Sequence, residues 1–261
     1  MDLKERALLG IPIDTPFGQL KPLTVYDFLE CGDALAAITF DISRVLHEIR
    51  LNQPEETQNT KELTEELRQL KANYSLKEIL IAYMQPFFYA YVEIVSRCKV
   101  LKGEQDLEKV REETFNELNE LSPEEFDSLR KIILEINNQS SQTASLDPTV
   151  QKWKEKALRF KSSSDKNGAP NISTMVTSVV VYSGHTFKEV TSWNITQLLQ
   201  AFQRIGLLKA YDTTTLFATV TDKIDIQSWS ENIEIEDDSN TSKDVALSYS
   251  DFKQNVGDAV Q

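Results

Sequence analysis

Four times along this chain a hydroxyl residue stands three positions ahead of a carboxylate, just before an apolar run: Thr24 and Asp27, Ser75 and Glu78, Ser122 and Glu125, Thr186 and Glu189. Such pairs satisfy two of the backbone N–H groups that a helix leaves unpaired at its start, so each marks a helix N-terminus. The strongest is Ser122-Pro123-Glu124-Glu125. It joins a cap to a proline at the first helical position, where the missing N–H costs nothing, and to a carboxylate at the third. The helix it opens puts Phe126, Leu129, Ile133 and Ile136 on one face. A chain punctuated this way is a mainly α, multi-helix protein.

One short β element precedes the helices. Residues 8–15 and 19–23 flank Thr15-Pro16-Phe17-Gly18, and Pro and Gly stand where a hairpin turn needs them. From Thr24 the apolar positions Phe28, Leu35, Ile38, Ile42, Val45, Leu46 and Ile49 recur at helical spacing, predicting one long helix kinked at Gly32. Residues 52–60 are polar and read as a loop, followed by a charged helix over 61–72. The most apolar run, Ile79 to Val95, is interrupted by Gln85, Pro86 and Glu93. It is too broken to span a membrane and reads as a core helix kinked or split at the proline. A further amphipathic helix occupies 104–121.

The polar stretch 137–148 predicts a boundary between an N-terminal hairpin and helical subdomain (1–140) and a C-terminal helical subdomain (147–222). Asp147-Pro148 opens a basic helix whose charges, over 151–161, read as a solvated face, and a loop follows over 162–170. Residues 223–261 form an acidic tail. From Glu231 onward Glu231, Glu234, Glu236, Asp237, Asp238, Asp244, Asp251 and Asp258 stand against Lys243 and Lys253, a balance of −6 in a chain of net charge −13. A segment of this composition is expected to be mobile.

The stretch 172–208 holds one of the two histidines, His185. Gly184 suits the left-handed end of a helix over 172–183. A short helix with Phe187 and Val190 facing inward should follow, then one carrying Ile195, Leu198, Leu199, Phe202, Ile205 and Leu208 at helical spacing. Trp193 would pack this helix-turn-helix. Catalysis finds no support here: His185 has no nucleophile and orienting acid in pattern, and the chain lacks HExxH, a P-loop, GxGxxG and G-x-S-x-G. No cofactor or metal site is expected, since the histidines have no ligand spacing. The acidic balance and a second helix whose start offers only Arg204 argue against nucleic acid. Cys31 and Cys98 sit far apart in apolar helical contexts and read as buried reduced thiols. The N-terminus lacks the apolar core of a signal peptide, so a soluble intracellular protein is expected.

Gly184-His185-Thr186-Phe187, the following Trp193 and the run from Leu198 to Val220 together resemble the C-terminal half of tail assembly chaperones of tailed bacteriophages. The run from Ile11 to Leu35 is similar to the hairpin-then-helix opening of such proteins. The resemblance implies a helical, non-enzymatic protein of the host cell cytoplasm, absent from the mature virion. It would bind the tape measure protein, promote assembly of the tail tube protein around it, and use no cofactor. On this reading Phe187, Trp193, Phe202 and Phe217 line a partner groove, with Trp229 at the start of an extension (228–252) that recruits tube subunits. Self-association is a further expectation, and a permanent virion part, such as a baseplate or connector protein, is the alternative.

Overall fold

The computed structural model describes residues 3–100, 106–154, 156, 170–219 and 228–230. Helices dominate: α1 (Leu3–Leu8), α2 (Val25–Glu30), α3 (Gly32–Thr39), α4 (Ile42–Leu51), α5 (Glu55–Gln58), α6 (Lys61–Asn73), α7 (Leu76–Tyr83), α8 (Gln85–Cys98), α9 (Leu107–Glu120), α10 (Pro123–Ile136), α11 (Ile172–Ser183), α12 (Phe187–Thr191) and α13 (Ile195–Ala218). A further helical stretch over 148–154 lies between α10 and α11, opened by the Asp147 carboxylate, which accepts the Thr149 N–H at 2.8 Å. All four capping boxes read from the sequence form with both hydrogen bonds in place.

The β-hairpin consists of β1 (Ile13–Thr15) and β2 (Gly18–Leu20), antiparallel with Ile13 opposite Leu20. Thr15 closes the turn by donating its hydroxyl to the Gly18 carbonyl at 2.7 Å and accepting the Phe17 N–H at 3.1 Å. Gly18 takes φ 97°, a region closed to side chains with a Cβ. The first strand is shorter than its sequence pattern, because Leu8 ends α1 rather than beginning a strand. The hairpin is seated on the end of α8: Lys21 N–H donates to the Cys98 carbonyl at 2.7 Å and Val100 N–H to Gln19 at 3.0 Å.

Two helical expectations need correction. The predicted long helix from Thr24 is three helices. The chain leaves α2 at Cys31 (φ −120°, ψ 32°) and turns extended at Phe40, and Asp41 then caps α4 by accepting the Arg44 N–H at 2.8 Å. The break survives because its loose ends find distant partners. Arg130 of α10 donates to the Ile38 carbonyl at 3.0 Å and the Thr39 carbonyl at 2.8 Å, taking acceptors that α3 leaves unpaired at its end. The predicted loop 52–60 contains the single turn of α5. Pro86 acts as expected: it stands in the first turn of α8, and α7 and α8 meet at Met84 with a bend of 118°.

Helix α8 is central, packed between α3 and α9 and against α7. Its Phe88 and Tyr91 meet Phe126 of α10, with ring centroids 6.4 Å and 4.9 Å apart. Phe126, Leu129, Ile133 and Ile136 are all buried, as their spacing predicts. An enclosed void beside Tyr91 measures ≈ 10 Å³, room for no more than one water. Polar anchors fix the helices around this core. The buried Lys77 donates to the Asn119 carbonyl at 2.7 Å and to Leu121, placing a cation at the C-terminal end of α9 where the helix dipole favours it. Arg97 bridges Glu93 at 2.6 Å, Asp27 at 2.8 Å and Glu30 at 2.9 Å, and Arg111 holds the other side of Glu93 at 2.5 Å.

The start of the polar stretch over 137–148 is fastened to the helical body. Asn137 is fully buried, accepts the Leu23 N–H at 2.8 Å and donates to the Ile133 carbonyl at 2.8 Å. Gln142 then exchanges backbone hydrogen bonds with Thr39 and Asp41. The acidic tail apart from residues 228–230, residues 155 and 157–161 of the basic helix, and residues 162–169 of its following loop lie outside the described residues. Among the described residues no single helix is long and apolar enough to cross a membrane.

Candidate functional site

Asn171 starts α11 by accepting the Thr174 N–H at 2.8 Å, and Gly184 ends it in the left-handed conformation (φ 77°), donating back to Val180 at 3.1 Å. Its sequence, Ile-Ser-Thr-Met-Val-Thr-Ser-Val-Val-Val-Tyr-Ser, carries no acid, lysine, arginine or histidine. Only Val176 and Val179 are fully buried, whereas Val181 is 79% exposed and Tyr182 40%. Three of its hydroxyls fold back onto the helix. Thr177 donates to the Ser173 carbonyl at 2.8 Å, Ser178 to Thr174 at 2.8 Å and Ser183 to Val179 at 2.7 Å. The helix therefore turns an uncharged surface outward, made of Ser173, Thr174, Thr177, Ser183, Val181 and Tyr182.

Helix α12 follows, started by Thr186 and Glu189 through the Thr186 N–H to carboxylate bond at 2.7 Å. Val190 is buried as expected, but Phe187, read as inward-facing, is 56% exposed. The helix is only five residues long, and Val190 alone reaches the core. Helix α13 begins at Asn194, whose side-chain oxygen accepts the Gln197 N–H at 2.9 Å. The same side chain donates its Nδ2 hydrogen to the Ala7 carbonyl at 2.7 Å, and the neighbouring Trp193 carbonyl accepts from Val25 at 2.7 Å. This joint with α1 and α2 was not legible in the sequence, where Asn194 showed only as the end of a helix-breaking run. Ile195 and Leu198 are buried at the joint, and Leu199, Phe202 and Ile205 pack partly buried behind them. Further along no residue is fully buried, and Leu216 is 69% exposed.

The five candidate partner residues thus divide. Trp193 and Phe202 pack against the core while Phe187, Phe217 and Trp229 are exposed. Trp229 is held near α13 by its backbone, whose carbonyl accepts from Arg204 Nη1 at 2.6 Å. Beside them an open groove of ≈ 540 Å³ runs along α11, walled by Ser173, Thr177, Val181 and Tyr182, with Ile205 of α13 on its far side. Lys209 sits at its rim, its ammonium 4.8 Å from the Tyr182 ring centre.

The chemistry at His185 is that of a turn. Its Nδ1 lies 3.7 Å from the Glu189 carboxylate and its ring stands edge-on to Trp193 at 5.3 Å. Ser183 directs its hydroxyl to the Val179 carbonyl and meets His185 only through the backbone N–H, so the two do not form a nucleophile–base pair. The other histidine, His47, is buried on α4. Among the described residues no group of three or more His, Cys, Asp or Glu side chains is placed to hold a metal ion. Both cysteines are free and buried; burial pushes the Cys31 thiol up to about 11 and the Cys98 thiol to about 12, so neither is a thiolate at neutral pH.

These features define an acidic helical protein whose last helices carry exposed apolar side chains at Val181, Tyr182, Phe187, Leu216 and Phe217. A family model of the YomV N-terminal domain matches residues 1–143 and one of the YomV second domain matches residues 162–234. The chain belongs to the YomV family. It is also similar to the SPbeta prophage-derived uncharacterized protein YomV of Bacillus subtilis (strain 168), 23% identical over 235 residues, 90% of each chain. That relative supports a phage association for this chain. No solved structure matches it.

Proposed function

We propose that this protein is a non-catalytic assembly factor of a tailed phage, acting in the host cytoplasm. It holds an apolar helical partner, the tape measure protein, and helps the tail tube protein polymerise around it. One observation carries the reading: α11 is a twelve-residue helix without a charged side chain, with two buried residues and with Val181 and Tyr182 open to solvent. A folded protein keeps a surface of that kind uncovered when a partner covers it. The acidic balance of the chain supports the same reading, since high net charge keeps a complex with an apolar partner in solution. The resemblance to tail assembly chaperones and the prophage origin of the Bacillus relative supply the phage context.

Co-expression with the tape measure protein of the same phage, followed by pull-down, tests the proposal. Soluble co-purification is the expected result. A tape measure that stays insoluble and unbound refutes it. Recovery of the chain from purified particles would replace it with the second reading, a baseplate or connector component of the virion.

A further inference from the structure

We infer that residues 144–147 form a strap that opens from Arg50 while residues 141–142 stay closed, a conformational device set in the connection between the two regions that the family models match. Those regions end at residue 143 and begin again at 162, so the strap belongs to neither. It is lightly packed. Ala144 is buried and Leu146 only partly so, and the Ser145 N–H donates to Gln151 Oε1 at 2.8 Å. Arg50 of α4 clasps it, donating from Nη2 to the Leu146 carbonyl at 2.6 Å and to the Thr64 hydroxyl of α6 at 3.3 Å.

The two ends of the strap are held very differently. Arg50 is 3% exposed, and its Nε and Nη1 have no hydrogen-bond partner among the described residues. A guanidinium stays charged and carries five N–H donors, so three of them are buried and unused here. One neutral carbonyl and one long bond to a hydroxyl do not replace the water that such a charge gives up. Asp147, next to the clasped carbonyl, favours the charge, but its carboxylate already accepts the Thr149 and Val150 N–H groups at 2.8 Å and 3.3 Å, and Arg68 opposes it. At the other end Arg130 reaches the Ile38 and Thr39 carbonyls and the Tyr91 and Ser141 hydroxyls, all between 2.8 Å and 3.1 Å. Gln142 adds its two backbone bonds to Thr39 and Asp41. Opening at 144–147 therefore returns water to Arg50 and uncovers little apolar surface, whereas opening at 141–142 breaks satisfied bonds. Release lengthens the connection between the two regions and leaves the fold of the N-terminal one intact.

Native-state amide hydrogen exchange of the full chain, resolved by residue, is the test. The Ser145 amide, held by Gln151, should exchange about tenfold faster than the Gln142 amide, held by Thr39, each taken against its intrinsic rate. Low urea should hardly change the Ser145 rate, because a local opening exposes little surface. Equal protection of the two wild-type amides overturns the inference. Arg50→Met then separates a poised clasp from a plain anchor, since the two predict opposite signs. It keeps the aliphatic length and removes the dehydrated charge, so Ser145 should exchange several-fold more slowly while Gln142 is unchanged. Unchanged or faster exchange at Ser145 overturns the inference, because Arg50 is then only what holds the strap down. Asp147→Asn tests the same balance without altering the buried side chain, and it retains a capping oxygen for the helix that follows. It removes the charge that favours Arg50 in place, so Ser145 should exchange faster with Gln142 unmoved. No change at Ser145, or equal changes at both amides, overturns the inference. Circular dichroism checks that each variant is folded, and the asparagine variant keeps the test decisive if the methionine variant is not.

Discussion

Replacing Asn194 with alanine isolates the joint between the last helices and the N-terminal body. Its side chain does two things at once: the oxygen caps α13 at the Gln197 N–H, and the Nδ2 hydrogen reaches the Ala7 carbonyl, 187 residues away in sequence. Losing an Asn cap to alanine costs about 1 kcal/mol. Losing the second bond costs about 1 kcal/mol more, a net hydrogen bond without an orphan, because the Ala7 carbonyl keeps the Gly10 N–H at 3.0 Å. The sum, about 2 kcal/mol, corresponds to a fall in melting temperature of roughly 4–8 °C for a chain of this size. Circular dichroism at the helical band, followed through heating and through urea, measures it. Asn194→Ser retains a capping oxygen but cannot reach Ala7, so it should recover about half the loss. Asn194→Asp keeps the cap yet aims a carboxylate oxygen at the Ala7 carbonyl, and should melt below the serine variant. An alanine variant within about 0.5 kcal/mol of wild type, below the value of either bond, refutes this account of the joint.

Three further outcomes are expected. Phe126→Ala, which empties the site between Phe88 and Tyr91, should destabilise the fold by about 3–5 kcal/mol, and urea midpoints would show it. Acidification should weaken the Arg97 network. Burial alone would raise the Asp27 and Glu93 carboxyls, but hydrogen bonds from Thr24 and Arg97 to Asp27, and from Arg111 and Arg97 to Glu93, hold both below the ordinary carboxylate range. Their contribution is therefore present above about pH 4 and lost as pH falls through the depressed values. Melting midpoints from pH 6 to pH 3 should fall for wild type and change less for Arg97→Gln, which already lacks the pairs at neutral pH. The thiols of Cys31 and Cys98 should resist a thiol-reactive dye at pH 8 in the native protein and react fully in urea, since burial holds both protonated. Rapid native labelling would show that the α2–α8 region opens.

How far this chain is legible without its structure follows from the range of the forces involved. Helix starts are set within four residues, so Thr24, Ser75, Ser122 and Thr186 announce them and the structure keeps every one. The same holds for the Thr15–Gly18 turn, the left-handed Gly184 and the break at Pro86, each fixed by local backbone sterics. Residues whose partners lie far along the chain were not legible. Arg130 supports the break after α3 from 91 residues away, and Asn137 binds Leu23 across 114. No local pattern distinguishes these polar side chains from solvated ones. The candidate site divides along the same line. Apolar character at Val179, Val181, Phe187 and Phe202 is plain in the sequence, but whether each is buried depends on which helix lies over it. Tertiary packing buried Val179 and part of Phe202 and left Val181 and Phe187 open to solvent. The sequence by itself determined where the four capped helices start and where the Thr15–Gly18 turn, Gly184 and Pro86 interrupt the chain; only the tertiary structure decided which apolar residues became core and which stayed exposed, because burial is a property of neighbours and not of the residue.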